Sequence, residues 1–187
     1  MDKTIISIIS GLGGMFGWGT SDFFANLSSD KIGHFKTFFW SQLVGMIFIF
    51  LLIPIFGINI NISPLFIILL LIASVFYAAA YLLFYKAFEI GNVSIVSATI
   101  NLNAVFAMIL AFIFLGQRLS SLQIFAVLMI IIGLILVTLK LSDLKNKEVK
   151  LLSGVKETVL ASLLFGVFGT LVRLFLKKQG GYQQPYL

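Results

Sequence analysis

The first apolar segment of the chain carries side chains that could recognise a polar solute. At the helical pitch of about 100° per residue, Trp18, Ser21 and Asp22 lie on one face, within about a third of the circumference. An indole, a hydroxyl and a carboxylate can bind a polar or cationic group, and the carboxylate could exchange a proton with it. Asp22 could instead orient a solute, lie among lipid headgroups near the helix end, or cap a local turn with Asn26. A helix that only anchors a chain in lipid needs none of these groups.

A second candidate surface is a row of tyrosines in the third apolar segment. Four side chains lie on one face of this helix, because they are three, four and four residues apart: Ser74, Tyr77, Tyr81 and Tyr85. Such a row can line an aromatic cavity, or it can pack against another helix while the hydroxyls bond to backbone groups. Tyr77 and Tyr81 are our candidates for contact with a solute, with packing as the alternative.

The fourth apolar segment carries two asparagines, which are costly in lipid unless they are hydrogen-bonded. Asn101 shares a face with Ser94 and Ser97, whereas Asn103 shares the opposite face with Thr99. Asn101 could line a solute pathway, or it could bond between helices, for which measured energies average about 0.6 kcal/mol. For Asn103 the sequence favours packing.

Other chemistry has little support in the sequence. The absence of cysteine excludes disulfides and thiolate-ligated metals, and the one histidine, His34, cannot form a metal site alone. No nucleophile–base–acid set is apparent, and the glycines at 11–14 lack the preceding strand of a dinucleotide-binding loop. We therefore expect a protein that is not an enzyme, with no catalytic residue, no metal and no cofactor.

The composition is that of an integral membrane protein. Of its 187 residues, 60% are hydrophobic and only 11% are charged, and the mean hydropathy is +1.10. About 20 apolar residues span the hydrocarbon core of a bilayer, and the chain contains six such runs. The net charge of +6 comes mostly from residues between these runs, so it does not indicate a nucleic-acid partner. Lipid is the expected environment.

These runs predict an all-α, multi-spanning helix bundle with six transmembrane helices. The predicted helices are about Thr4–Ala25, Thr37–Phe56, Leu65–Ala87, Val93–Leu115, Leu122–Leu139 and Val155–Leu176. Between and after them we expect a polar connection (26–36), an Asn-rich loop (57–63), a tight turn (116–119), a Lys-rich linker (140–154) and a polar tail (179–187).

Glycines in the first and last helices predict close helix packing. Gly13 and Gly17 lie at the small-xxx-small spacing that lets helix backbones approach each other. The sequence around Gly17, Phe16–Thr20, recurs with one insertion as Phe165–Thr170, which contains Gly166 and Gly169. The two copies are five helices apart, and an odd number of spans inverts the second copy in the membrane.

Three patterns in order along the chain carry a family resemblance. They are Gly17-Trp18-Gly19-Thr20-Ser21-Asp22-Phe23, Phe39-Trp40-Ser41-Gln42-Leu43-Val44-Gly45, and the turn Gly116-Gln117-Arg118-Leu119 followed by Ile132-Gly133-Leu134. In this order and spacing they resemble EamA-type proteins of the drug/metabolite transporter superfamily. The sequence departs from that pattern at Gln117, where a Glu is usual, and at Asn103, where a Pro is common.

The resemblance implies ten helices in two inverted five-helix repeats, around a cavity lined largely by helices 1, 3, 4 and 6 and their second-repeat counterparts. It divides this chain into a first repeat (1–139), a linker (140–154), and the first helix of a second repeat with a tail (155–187). Because the sequence stops after the sixth helix, the chain looks truncated against that pattern.

The function that the resemblance implies is transport of a small metabolite or drug-like solute by alternating access, in a bacterial or archaeal plasma membrane. Polar residues on the inward faces of helices 1, 3 and 4 favour this function. The alternatives are a half-transporter completed as a homodimer, and a membrane scaffold subunit that transports nothing.

Overall fold

A computed structural model describes residues 3–56, 64–116, 118, 120–138 and 152–178. These residues form seven α-helices and no strand, which confirms the predicted all-α class. The helices are α1 (Lys3–Ile32), α2 (His34–Ile55), α3 (Pro64–Ile90), α4 (Val93–Thr99), α5 (Leu102–Leu115), α6 (Ser121–Thr138) and α7 (Val155–Lys178). The predicted Asn-rich loop, Gln117, most of the Lys-rich linker and the tail lie outside the described residues.

Four stretches of the described chain are long and apolar enough to cross a membrane. They are His34–Ile55, Ile67–Ile90, Val93–Leu115 and Val155–Phe175. α1 has the length, at 30 residues, but its glycines and hydroxyl side chains make it less apolar than these four. The apolar part of α6, Ser121–Leu136, is shorter. That α1 and α6 also cross the membrane therefore stays a prediction.

The polar connection predicted over 26–36 is wrong, because α1 continues almost to the first residue of α2. Only Gly33 separates the two helices, and its φ of +83° is one that glycine adopts without strain. Some of the polar side chains that suggested a loop bond to other parts of the protein. The Asn26 amide, for example, donates a hydrogen bond to the carbonyl of Phe88 at 3.0 Å.

The start of α2 lies against the end of α3. The carboxylate of Glu89 accepts a hydrogen bond from the backbone N–H of His34 and lies 2.7 Å from Nδ1 of the same residue. A carboxylate at a helix N-terminus occupies a backbone donor that has no partner within the helix, and it complements the helix dipole. This contact holds the ends of α1, α2 and α3 together.

The fourth predicted helix is interrupted, which the sequence analysis missed. α4 ends at Thr99 and α5 begins at Leu102. Across this turn the backbone hydrogen bonds join residues three positions apart instead of four. For example, the N–H of Asn103 donates to the carbonyl of Ile100 at 3.0 Å. The Asn101 amide donates to the carbonyls of Ser97, at 2.9 Å, and Ala98, at 3.3 Å. Asn101 thus supplies hydrogen bonds that an uninterrupted helix would supply from its backbone.

We expect Asn101→Leu to destabilise the protein by about 1–3 kcal/mol, because it leaves carbonyl groups at the interruption without a donor. The midpoint of thermal unfolding in detergent measures this effect. Ser74→Ala is the matched control, since Ser74 donates to the carbonyl of Leu71 at 2.8 Å within the uninterrupted α3. An equal loss of stability in both variants would contradict a specific role for Asn101.

α7 packs against α3 and α5 and completes the buried core. The core contains Phe84, Tyr85 and Phe88 of α3, Val96 of α4 and Ala161 of α7. The predicted sixth helix is therefore not a peripheral addition to the first five, because it contacts the helix that carries the tyrosine row.

The turn before α7 requires glycine. Gly154 has a φ of +85°, and a Cβ at this position would lie 2.7 Å from the carbonyl oxygen of Ala87. Gly91 is similarly close, since a Cβ there would lie 2.5 Å from the carbonyl oxygen of Ser153. The two glycines let the end of α3 and the start of α7 approach backbone to backbone.

Candidate functional site

A small cavity lies where α1, α3, α7 and the turn between α4 and α5 meet. Its volume is about 110 Å³. It is lined by Trp18, Ser21, Asp22, Tyr81, Phe84, Tyr85, Ile100, Asn103 and Phe165. The structure therefore brings together Trp18, Asp22 and Tyr81, three of the five residues that the sequence predicts to contact a solute.

Asp22 is the acidic group of this cavity. Its side chain is half-buried, and its Oδ2 accepts a hydrogen bond from the Ser97 hydroxyl of α4 at 2.8 Å. In the described parts of the chain, His34 and Glu89 form an ion pair. No lysine, arginine or histidine in these parts pairs with Asp22. Asp22 thus presents a carboxylate to the cavity without a cationic partner in the described protein.

The tyrosine row of α3 both packs and lines cavities, so the two alternatives drawn from the sequence coexist. The rings of Tyr77 and Tyr81 have centroids 4.6 Å apart. Phe165 of α7 contacts Tyr81 edge to face at 5.0 Å, and Phe168 lies 5.1 Å from Tyr77. Edge-to-face and offset contacts of this kind stabilise aromatic pairs beyond the burial of their area. α7 is therefore attached to the site through its aromatic side chains.

A larger cleft adjoins the small cavity on the side of α2. Its volume is about 490 Å³. It is lined by Ser21, Ser41, Gln42, Gly45, Met46, Ile49, Phe50, Ile53, Tyr77, Tyr81 and Tyr85. Ser21, Tyr81 and Tyr85 line both spaces, so the two form one site with a shared wall. Tyr77, the fourth predicted residue, belongs to the cleft.

Comparison with known sequences identifies the family. The EamA-like transporter family matches residues 5–139. The chain belongs to the EamA-like transporter family. No curated protein and no solved structure is significantly similar to it. The match includes every residue that lines the two cavities except Phe165.

Membership confirms several of the sequence-based predictions. Members of this family are transporters rather than enzymes, and their helices span the membrane several times. The chain is accordingly an integral membrane protein, and its family indicates transport of small solutes across the membrane.

The structure places the two asparagines in different surroundings. Asn103, expected to pack, lines the small cavity. Asn101, the fifth predicted cavity residue, lines neither the small cavity nor the cleft, and its amide bonds to the backbone of its own turn.

Several cavity residues were not singled out from the sequence. Ser97 was placed on a polar face, yet nothing in the sequence indicated its bond to Asp22, which joins residues 75 positions apart. Phe165 carried one signal, because it opens the segment that echoes Phe16 of α1. Gln42 appeared only as part of the family pattern over 39–45, and Phe84 carried no signal.

The four glycines predicted to pack helices lie in different surroundings. At Gly166 of α7 a Cβ would lie 2.7 Å from the Cβ of Phe106, so α7 and α5 approach closely there. At Gly13, Gly17 and Gly169 no atom of the described chain lies within 4 Å of the position that a Cβ would occupy. Among the residues that the structure describes, no other side chain or helix packs against these three positions, so helix packing there stays a prediction.

Proposed function

We infer that this EamA-like transporter moves a small solute by alternating access through the small cavity and the cleft, with Trp18, Asp22, Tyr77 and Tyr81 in contact with the solute. The observation that carries the proposal is the half-buried carboxylate of Asp22 in a cavity formed by four helices. Ionisable side chains within membrane segments are rare, and they mark solute or ion pathways.

The interruption between α4 and α5 supports the same function. Broken helices in membrane transporters lie at the solute site, where their polar backbone groups border a cavity rather than lipid. Here Ile100 lies at the interruption and lines the small cavity. A scaffold subunit needs neither a broken helix nor a carboxylate, and it would tolerate replacement of Asp22 and Tyr81 together by apolar residues.

A single-cysteine experiment tests alternating access without knowledge of the solute. The chain has no cysteine, so Ser21→Cys places one thiol at the wall that the small cavity and the cleft share. In sealed proteoliposomes with one orientation, we expect a membrane-impermeant thiol reagent to label this cysteine from either side. Mass spectrometry of the intact protein measures the labelled fraction.

Ser120→Cys is the matched control, because Ser120 is exposed in the turn between α5 and α6. It should react from one side only. Labelling of Ser21→Cys from one side alone would contradict alternating access.

A further inference from the structure

We propose that the solute is an organic cation with an apolar body, whose positively charged head binds beside Asp22 in the small cavity while its body lies in the cleft. This inference rests on the proposed function, since it names the class of solute for that same site. Charge, ring chemistry and volume support it independently.

The first argument is charge. The Asp22 carboxylate is half-buried and accepts one hydrogen bond, from Ser97. It has no ion-pair partner among the residues that the structure describes. A carboxylate removed from water is costly unless a positive charge or several donors compensate it. A cationic solute supplies that compensation, whereas an anionic solute would add repulsion at the same place.

The second argument is the chemistry of the cavity wall. Five of its nine lining residues are aromatic, namely Trp18, Tyr81, Phe84, Tyr85 and Phe165. The faces of aromatic rings are negative, so they attract an ammonium group, with tryptophan the strongest of the three ring types. The wall and the carboxylate therefore favour the same sign of charge.

The third argument is size. The small cavity, at about 110 Å³, is smaller than an engineered cavity of about 150 Å³ that admits benzene. It suits a compact charged head rather than a ring. The adjoining cleft of about 490 Å³ has room for a ring and carries the apolar side chains Met46, Ile49 and Ile53. A solute that fills both spaces has a small cationic head and an apolar body.

Tryptophan fluorescence can report binding at this site directly. The chain has two tryptophans, and only Trp18 lines the small cavity, while Trp40 lines neither space. A Trp40→Phe chain in nanodiscs of zwitterionic lipid would thus carry its single tryptophan at the edge of the site, where Trp18 is 74% exposed. We would titrate it with benzyltrimethylammonium, the neutral benzyl alcohol, the anionic benzenesulfonate and the head group alone, tetramethylammonium.

We expect saturable binding of benzyltrimethylammonium, at least tenfold tighter than that of benzyl alcohol or benzenesulfonate. Tetramethylammonium should compete with it but bind more weakly, because it leaves the cleft empty. Asp22→Asn should weaken binding of benzyltrimethylammonium at least tenfold. Asp30→Asn, which makes the same change at an exposed position of α1, should leave binding unchanged.

The outcomes separate this inference from the proposed function. Equal affinity for the cation, the neutral compound and the anion would overturn the cation as solute class, and so would unchanged binding in a folded Asp22→Asn variant. If Asp22→Asn fails to fold, the comparison of ligands in the Trp40→Phe chain still tests the solute class. If no cation binds while Ser21→Cys is labelled from both sides, the result supports alternating access and contradicts a cationic solute. Labelling of Ser21→Cys from one side only would contradict alternating access, whichever ligand binds.

Discussion

Uptake of benzyltrimethylammonium into proteoliposomes should fall at least tenfold when Asp22 is replaced by asparagine. The replacement keeps the shape of the side chain and a group that can accept the Ser97 hydrogen bond, but it removes the charge. Two opposite unit charges about 4 Å apart attract each other by about 4 kcal/mol at the effective dielectric constant near a protein surface, and each 1.4 kcal/mol corresponds to a factor of ten in affinity. The initial rate of uptake of the radiolabelled cation measures the effect.

The pH dependence of the same uptake tests whether Asp22 exchanges a proton for the solute. If it does, uptake by the unaltered protein should fall as the pH falls, because a protonated carboxyl cannot bind the cation by charge. The Asp22→Asn variant should lose this dependence. Glu89→Gln is the control, because it removes a carboxylate that lies away from the cavity and contacts His34, and this variant should keep the pH dependence. Unchanged uptake and unchanged pH dependence in Asp22→Asn would remove Asp22 from the mechanism.

The helices and the central residues of the site could be predicted from the sequence for physical reasons. Lipid cannot satisfy backbone hydrogen bonds, so long apolar runs must be helical. A helix has a fixed pitch, so Trp18 and Asp22 must share a face, and so must Tyr77 and Tyr81. The structure places the first pair and Tyr81 at the small cavity.

What the sequence could not provide were the tertiary partners that override local preference. Asn26 and its polar neighbours are typical of a loop, yet α1 continues through them, and the Asn26 amide bonds to Phe88, 62 positions away. Likewise the interruption at 100–101 contains no proline or glycine. The carbonyls that lose their backbone donors there accept hydrogen bonds from the Asn101 amide. No rule of residue spacing predicts that arrangement.

The glycines of α7 show the same limit and lead to a sharp prediction. Gly166 and Gly169 are three positions apart and were equally good candidates for helix packing. In the structure, a Cβ at Gly166 would lie 2.7 Å from the Cβ of Phe106 and 3.0 Å from the backbone nitrogen of Ala107. At Gly169 a Cβ would meet nothing within 4 Å. Spacing alone cannot distinguish them, because it does not say which face meets α5.

Alanine at these two positions should therefore affect stability differently. Within a helix, replacing glycine by alanine is favourable by about 1 kcal/mol when no contact changes. Gly169→Ala should show this gain or be neutral. Gly166→Ala should destabilise the protein, because the backbone of α5 must move, and such overpacking typically costs about 1–3 kcal/mol. The midpoint of thermal unfolding in detergent should thus fall by several degrees for Gly166→Ala alone.

The same pair of variants also links this contact to the site. Phe165 precedes Gly166 and lines the small cavity, so displacement of α7 from α5 should move its ring away from Tyr81, which it now contacts at 5.0 Å. We expect Gly166→Ala to weaken binding of benzyltrimethylammonium at temperatures where the variant is still folded, and Gly169→Ala to leave binding unchanged. If both variants were equally stable and bound the cation equally well, α7 would not be held against α5 at Gly166.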